Sequence, residues 1–282
     1  MSNTNSNINK AKVKSVAKKV EFSPVMEALT RFGYGVRGLI YIVMGLIALQ
    51  VTFGKGGALA SPQGAIAAIG KQPAGMILLW VVLIGILAYS VWGLVRAIWD
   101  PLNKGSDLKG MLTRIGFLAS AVGYAFLAYT TYGFIKGASQ SASGSPAKLL
   151  ASVMAMPFGR WAIGLLGLIV VVVGLYQIIL GFKAGFEKQF QTYALTPKEA
   201  KLATDVGRFG TAARGVVFAL VGVLIFLAAY NSNPSQPVGM DAALATLLHQ
   251  PYGIWLLGIV AVGLVAFGFY SLLGAIWFRF KR

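Results

Sequence analysis

The sequence contains no cysteine, a single histidine and only eight acidic residues in 282. The lack of cysteine excludes disulfides, thiolate nucleophiles and thiolate-ligated metals. His249 has no cysteine, second histidine or adjacent carboxylate with which to hold a metal, so we interpret it as a polar residue at the membrane interface. The chain also lacks a nucleophile–base pair, a phosphate-binding loop and a dinucleotide fingerprint. We therefore expect neither an enzyme nor a bound cofactor.

Charged residues make up 12% of the chain and hydrophobic residues 57%, unlike the more even mixture of soluble domains. About 20 apolar residues in a helix cross the apolar core of a bilayer, which is about 30 Å thick. Six stretches lack Asp, Glu, Lys and Arg; five reach this length, and the first, at 38–54, reaches it by including residues from its flanks. They predict an all-α integral membrane protein with six transmembrane helices, at residues 34–53, 74–98, 114–135, 160–182, 209–229 and 254–278.

Two short motifs occur three times each, and the spacing between successive copies is nearly the same for both motifs. The motifs are Arg31-Phe32-Gly33, Arg114-Ile115-Gly116 and Arg208-Phe209-Gly210, followed by Pro73-Ala74-Gly75, Pro157-Phe158-Gly159 and Pro251-Tyr252-Gly253. Successive copies are 83 and 94 residues apart for the first motif, and 84 and 94 apart for the second. This agreement indicates three two-helix repeats with pseudo-threefold symmetry about the membrane normal.

The repeats divide the chain into a basic tail and one membrane domain. The predicted boundaries are 1–30 for the tail, 31–100 for the first repeat, 114–186 for the second and 208–282 for the third. Short alanine-rich runs at 64–69, 147–154 and 241–248 precede the Pro-x-Gly motifs and predict short helices at the outer surface. We expect each proline to start the following span, where its missing N–H costs least.

Lysine and arginine predict the orientation. Six spans put both termini on one face, and 20 of the 25 basic residues lie on that face. By the positive-inside rule, this predicts a multi-pass membrane protein with cytoplasmic termini. The net charge of +17 then reflects topology and attraction to anionic lipids of the inner leaflet, rather than binding to nucleic acid.

Small residues recur at equivalent positions and predict where helices pack closely. In a membrane, close backbone approach at such residues drives helix association. The first helices carry Gly38, Ala121 and Gly215, and seven residues later Gly45, Ala128 and Gly222; the second helices carry Ser90, Gly174 and Gly268, and seven later Ala97, Gly181 and Ala275.

Arginines supply the candidate site chemistry. The candidates for contact with an anion or a lipid phosphate are Arg31, Arg37, Arg114, Arg208 and Arg214. Arg37 and Arg214 lie six residues after Arg31 and Arg208, about 9 Å farther along the helix, and Ser120 stands at this position in the second copy. These side chains either reach out to lipid phosphates, or they cluster around the pseudo-threefold axis and bind an anion.

Aromatic residues also recur, at Tyr41, Tyr124 and Phe218 on the first helices and at Trp92, Tyr176 and Tyr270 on the second. Such residues near helix ends favour an interfacial belt. Stacking against a flat apolar ligand, such as a quinone or pigment, is the alternative.

The combination of Arg-Phe-Gly, an Arg-Gly pair, Pro-x-Gly and a late Gly-x-Tyr resembles a bacterial membrane-protein family built from three tandem two-helix repeats. That family is catalogued only as a domain of unknown function. The resemblance spans residues 27 to 282, although copy two lacks the second Arg-Gly and copy one has Ser90-Val91-Trp92 in place of Gly-x-Tyr. It implies a six-helix fold, a bacterial origin and therefore a location in the bacterial cytoplasmic membrane, and it carries no activity.

Two functions stay open from the sequence. The first is a non-enzymatic bundle that acts as an accessory or scaffold for a membrane complex, or that binds a lipid or pigment. The second is a channel or carrier for a small solute, such as an anion, along the pseudo-threefold axis.

Overall fold

The computed structural model describes residues 24–100, 105–137, 146–183 and 197–277, and the regular secondary structure within these ranges is helical. The helices are α1 (Pro24–Thr52), α2 (Pro62–Gly70), α3 (Gly75–Trp99), α4 (Leu108–Ile135), α5 (Pro146–Met154), α6 (Gly159–Lys183), α7 (Pro197–Tyr230), α8 (Met240–Leu248) and α9 (Gly253–Trp277). The six long helices are long and apolar enough to cross a membrane. Each repeat thus consists of a long, a short and a long helix, which confirms the predicted six-span all-α architecture.

Three long helices begin well before their predicted starts, including α4, which begins at Leu108 and not at residue 114. α1 starts at Pro24 and α7 at Pro197, each with a glutamate in its first turn. Proline and an acidic residue both favour a helix start, since proline has no N–H to leave unpaired and the carboxylate interacts with the helix dipole. Residues 24–30 therefore belong to the first helix and not to the tail. The rest of the tail, and the predicted repeat ends 184–186 and 278–282, lie outside the described residues.

The closest helix pairs join neighbouring repeats. α9 packs along α1, α3 along α4, and α6 along α7. The second helix of each repeat thus pairs with the first helix of the next, and the second helix of the third repeat pairs with the first helix of the first. Within the first and third repeats, α1 also packs on α3 and α7 on α9. The contacting helices therefore follow one another as α4, α3, α1, α9, α7 and α6, and α4 and α6 stand at the two ends of this series.

Small residues mediate each of these three pairings at equivalent positions. A Cβ atom added to Gly38 would lie 2.7 Å from the carbonyl oxygen of Gly268, and one added to Gly174 would lie 2.8 Å from that of Gly215. In the third pair, the Ser90 hydroxyl donates a hydrogen bond of 2.8 Å to the Ala121 carbonyl. Backbones that approach this closely leave no room for a larger side chain. These are positions at which the sequence predicts helix packing.

The Pro-x-Gly motifs form turns, so the expectation that proline starts the next span is wrong. In each motif the glycine N–H donates to the carbonyl three residues earlier, at 2.8 to 2.9 Å, and the long helix begins at that glycine. Proline suits the second position of such a turn because its φ is already fixed. The middle residues Ala74, Phe158 and Tyr252 adopt positive φ angles of 62°, 62° and 60°.

The motif glycine is required by the end of the short helix. A Cβ atom on Gly75, Gly159 or Gly253 would lie 1.9, 1.7 or 2.0 Å from a carbonyl oxygen of the preceding short helix. Only glycine lets this helix end fold back on the following span. The turn holds the short helices over the end of the bundle opposite the start of α1, which we call the distal end. The other end is the terminal end.

Candidate functional site

The second repeat departs from the threefold pattern because its two long helices stand apart. Gly33, Gly116 and Gly210 are equivalent glycines on the first helices. A Cβ on Gly33 would lie 2.9 Å from the backbone nitrogen of Tyr89, and one on Gly210 would lie 2.4 Å from that of Phe267. A Cβ on Gly116 would meet no atom within 4 Å. α4 and α6 make at most marginal contact along their described lengths, and we call the space between them the α4–α6 gap.

Burial follows the same asymmetry. In the apolar spans of α4 and α6, 28% and 22% of residues are buried, against 56% in both α1 and α3. Gly123 on α4 is exposed with open space beside it, whereas the equivalent residues Ile40 and Val217 are buried in the core. One of the three equivalent interfaces in the bundle is therefore open, without close helix packing along the described residues.

Arg37 is enclosed in the bundle interior and fully engaged. Its side chain is 8% exposed. Nε and Nη2 donate to the Ser271 hydroxyl oxygen at 3.3 and 3.2 Å, and Nη1 donates to the Tyr89 hydroxyl. The guanidinium carbon lies 4.7 Å from the centre of the Phe267 ring and 5.2 Å from that of Tyr34. Aromatic faces and neutral hydroxyls thus replace the water that the charge loses.

Arg214 occupies the equivalent position in the third repeat, but it is only half-buried. Nε donates to the Tyr41 hydroxyl at 2.8 Å, and Nη1 donates to Oε1 of Gln177 at 2.5 Å. The guanidinium carbon lies 4.4 Å from the centre of the Phe218 ring and 5.0 Å from that of Phe267. Nη2 has no hydrogen-bond acceptor in the described part of the chain, so Arg214 keeps one nitrogen available to a ligand.

At the positions of Arg37 and Arg214 and of their hydrogen-bond acceptors, the α3–α4 pair has shorter side chains. Arg37 donates to Ser271 across the α9–α1 pair, and Arg214 donates to Gln177 across the α6–α7 pair. The residues equivalent to these in the α3–α4 pair are Ser120 and Gly93. Two of the three helix pairs therefore supply an arginine with its acceptor, and the α3–α4 pair supplies neither.

Arg96 is a third interior arginine, which the sequence analysis did not single out. It is 5% exposed, and its guanidinium carbon lies 4.4 Å from the centre of the Phe117 ring and 5.6 Å from that of Tyr89. Its Nε has no hydrogen-bond partner. Repeat comparison could not reveal it, because the equivalent positions hold leucine and glycine. The helical spacing of Tyr89, Trp92 and Arg96 on one face of α3 is the signal that points to it.

Within the described residues, these three interior arginines have no carboxylate counter-charge. None of them forms an ion pair with a described acidic residue. Along their own helices, Glu27 precedes Arg37 by ten residues and Asp205 precedes Arg214 by nine, which is about 13 to 15 Å. Each cation–π contact offsets about 0.5 to 2 kcal/mol of the desolvation cost, and the positive potential remains.

The other three predicted arginines lie at the ends of helices. Arg31 donates to the carbonyls of Ala275 and Ile276 at 2.7 and 2.8 Å. Arg114 makes both equivalent contacts with the last turn of α3, and Nη2 of Arg208 donates to the Phe182 carbonyl in the last turn of α6. A cation at the C-terminus of a helix satisfies free carbonyls and interacts favourably with the dipole. The five predicted arginines thus divide into a capping layer at the terminal end and two residues in the interior.

The expected interfacial belt is wrong for half of the recurring aromatic residues. Tyr41, Trp92 and Tyr270 are at most 8% exposed and pack in the interior, because the helix pairs turn these faces towards the bundle. Tyr124 and Phe218 are half-buried, and Tyr176 is 50% exposed. The Tyr89 and Tyr124 ring centres lie 4.6 Å apart, so the interior aromatic cluster extends from α3 to α4.

Comparison with known proteins supports the threefold division. A family model described as Domain of Unknown Function (DUF1206) matches three times, at residues 32–100, 115–184 and 209–277. The chain is also 32% identical over 259 residues to "Uncharacterized protein YxxB" of Bacillus subtilis (strain 168), covering 92% of this chain and 94% of that protein. No solved structure matches significantly. With three family matches covering both long helices of every repeat, the chain belongs to the DUF1206 family.

Proposed function

We propose that the protein is a non-enzymatic membrane helix bundle that holds a membrane molecule at its open side and does not conduct solutes along its axis. The observation that carries this proposal is the contrast between a filled interior and one open interface. Arg37, Tyr41 and Phe267 meet at the level of the interior arginines and are 8%, 3% and 2% exposed. A molecule can approach this level through the α4–α6 gap more readily than along the axis.

The packing of the short helices at the distal end also supports a bundle that does not conduct solutes along its axis. Ile66 of α2 and Leu244 of α8 are fully buried, and each belongs to a core cluster formed with long helices. The short helices therefore pack into the bundle end instead of lying loosely on it. A passage for water would have to displace this apolar packing as well as the arginine–aromatic layer.

Orientation and location belong to the proposal. The excess of lysine and arginine near the terminal end supports a cytoplasmic position for that end in a bacterial cytoplasmic membrane. An accessory or scaffolding role in a larger membrane complex would use the same open interface, with a helix of the partner as the bound molecule.

A carrier for a small anion is the second candidate. The observation in its favour is that Arg214 keeps Nη2 available in an interior with no carboxylate counter-charge. An anion could bind there and leave by the same side if the gap opened to either face of the membrane.

The test combines mass spectrometry with transport. Protein purified in a mild detergent is analysed by native mass spectrometry, and the same preparation is reconstituted into liposomes for chloride and phosphate flux. We expect a retained membrane molecule in stoichiometric amount and flux equal to that of empty liposomes. A bare protein that conducts an anion would overturn the proposal and favour the carrier.

A further inference from the structure

We infer that Arg214 binds the phosphate of a membrane phospholipid, one acyl chain of which lies in the α4–α6 gap. This inference rests on the proposed function and names its site and its ligand class. It depends on three features of the structure: the unused donor of Arg214, the uncompensated charge of the interior, and the shape of the open interface.

The donor geometry suits a phosphate. Hydrogen bonds from Nε to Tyr41 and from Nη1 to Gln177 fix the plane of the Arg214 guanidinium, and Nη2 is left to donate to a ligand. Ser120 holds the position on α4 that Arg214 holds on α7; it is half-buried and offers a hydroxyl. Guanidinium groups bind phosphate oxygens through strong charge-assisted hydrogen bonds.

Charge complementarity favours an anionic ligand. Arg37 and Arg214 both stack on Phe267, while Arg37 and Arg96 both stack on Tyr89. Three guanidinium groups therefore share two rings without a carboxylate among them. Buried charges of one sign are costly without a partner. A phosphate beside Arg214 supplies the missing negative charge.

The gap suits an acyl chain. Gly116, Ser120 and Gly123 follow one another on one face of α4, at the spacing that aligns side chains along a helix. The equivalent face holds Gly33, Arg37 and Ile40 on α1, where it packs against α3. On α4 a Cβ added to Gly116 or Gly123 would meet no atom within 4 Å, so this strip of small residues has no packed neighbour there. A flexible hydrocarbon chain fills such a channel without needing polar partners.

The position of the gap distinguishes a lipid from a dissolved anion. Gly116 lies two residues from Arg114, which caps the terminal end of α3, so the gap begins at the level of the helix ends. Arg214 lies about 9 Å farther in than Arg208. A phospholipid of the leaflet at the terminal end can place its phosphate between these levels and its chain along the gap, whereas free phosphate gains nothing from the apolar channel.

Two variants and two matched controls test the inference. Arg214→Gln removes the charge but keeps a hydrogen-bonding amide, and Gly116→Leu fills the gap where no atom lies within 4 Å of the added Cβ. Arg160→Gln removes an exposed arginine at the distal end, and Val122→Leu adds bulk to a side chain that is 60% exposed. Each protein is purified in detergent, supplied with phosphatidylglycerol or phosphatidylcholine, and examined by native mass spectrometry.

We expect one retained phosphatidylglycerol in the original protein and in both controls. Its occupancy should fall by about tenfold or more in Arg214→Gln and Gly116→Leu, because a charge-assisted hydrogen bond or the chain site is lost. Unchanged occupancy in both variants would overturn the inference. A dimer that Gly116→Leu abolishes would also overturn it, since a second copy of the chain would then occupy the gap.

A second measurement separates the lipid from free phosphate and from failure of the proposed function. Thermal unfolding is followed with added phosphatidylglycerol and with inorganic phosphate. We expect stabilisation by the lipid alone, and equal stabilisation by phosphate would overturn the lipid assignment. A lipid retained by both variants would leave the proposed function standing while this site fails. An original protein without any bound molecule would contradict both.

Discussion

Arg37 and Arg214 stack on the same ring, that of Phe267, with guanidinium carbons 4.7 and 5.0 Å from its centre. The two arginines come from different repeats, and the ring comes from α9, which packs against the helices of both. Phe267 therefore links two like charges that would otherwise face each other in a medium of low polarity. The ring attracts both cations, which offsets part of the cost of placing two like charges near each other in the interior.

Phe267→Ala should destabilise the bundle more than an ordinary core truncation. Removing a buried phenylalanine costs about 3 to 5 kcal/mol of unfolding free energy, and here two guanidinium groups also lose a ring. The measurement is unfolding of the purified protein in mixed micelles, followed by circular dichroism. Phe269→Ala is the control, since Phe269 is 52% exposed, and an equal loss in both variants would contradict the linking role.

Much of this fold could be predicted from the sequence, because the repeat supplies three observations of each feature. Gly38, Ala121 and Gly215 recur at one position, and the structure places all three against the neighbouring repeat. The spans and the short helices follow from the length of their apolar runs. Membrane helices leave such patterns because both their length and their close contacts are physically constrained.

The open interface could not be predicted, because the motif residue there is unchanged. Gly116 matches Gly33 and Gly210 in sequence, yet only those two touch a second helix. Whether two helices pack together depends on the summed packing contributions of many side chains along both helices, and no single substitution marks the difference. Ser120 in place of arginine was visible in the sequence, but its position beside a gap was not. Comparison of the repeats does not identify Arg96, because an arginine stands at this position in one repeat only.

Gly222 should tolerate no larger residue. A Cβ at this position would lie 2.4 Å from the backbone nitrogen of Val171, so Gly222→Leu has to separate α6 from α7 and should cost about 3 kcal/mol. Gly123→Ala, in open space on α4, should instead stabilise the helix by about 1 kcal/mol. Both are measured by thermal unfolding in detergent. Similar effects of the two substitutions would show that the α6–α7 contact is looser than described.

Substitutions at two adjacent residues of the first Pro-x-Gly turn should change the stability of the protein in opposite directions. Ala74 has a φ of 62°, so Ala74→Gly should relieve about 1 kcal/mol of backbone strain. Gly75→Ala should destabilise the protein, because its Cβ would lie 1.9 Å from the Gly70 carbonyl oxygen. Unfolding by heat is again the measurement. Destabilisation by Ala74→Gly would mean that the entropy of the unfolded glycine outweighs the strain.

The orientation in the membrane can be tested with single introduced cysteines, because the chain contains no cysteine of its own that would be labelled. Lys55 follows α1 at the distal end, and Lys201 lies in the first turns of α7 at the terminal end; both are exposed. If the terminal end is cytoplasmic, a membrane-impermeant maleimide added to intact cells should label Lys55→Cys. It should label Lys201→Cys only after the membrane is permeabilised. The reverse pattern would contradict the positive-inside prediction and would move the Arg214 site to the outer leaflet, whose lipids are then the ones to examine.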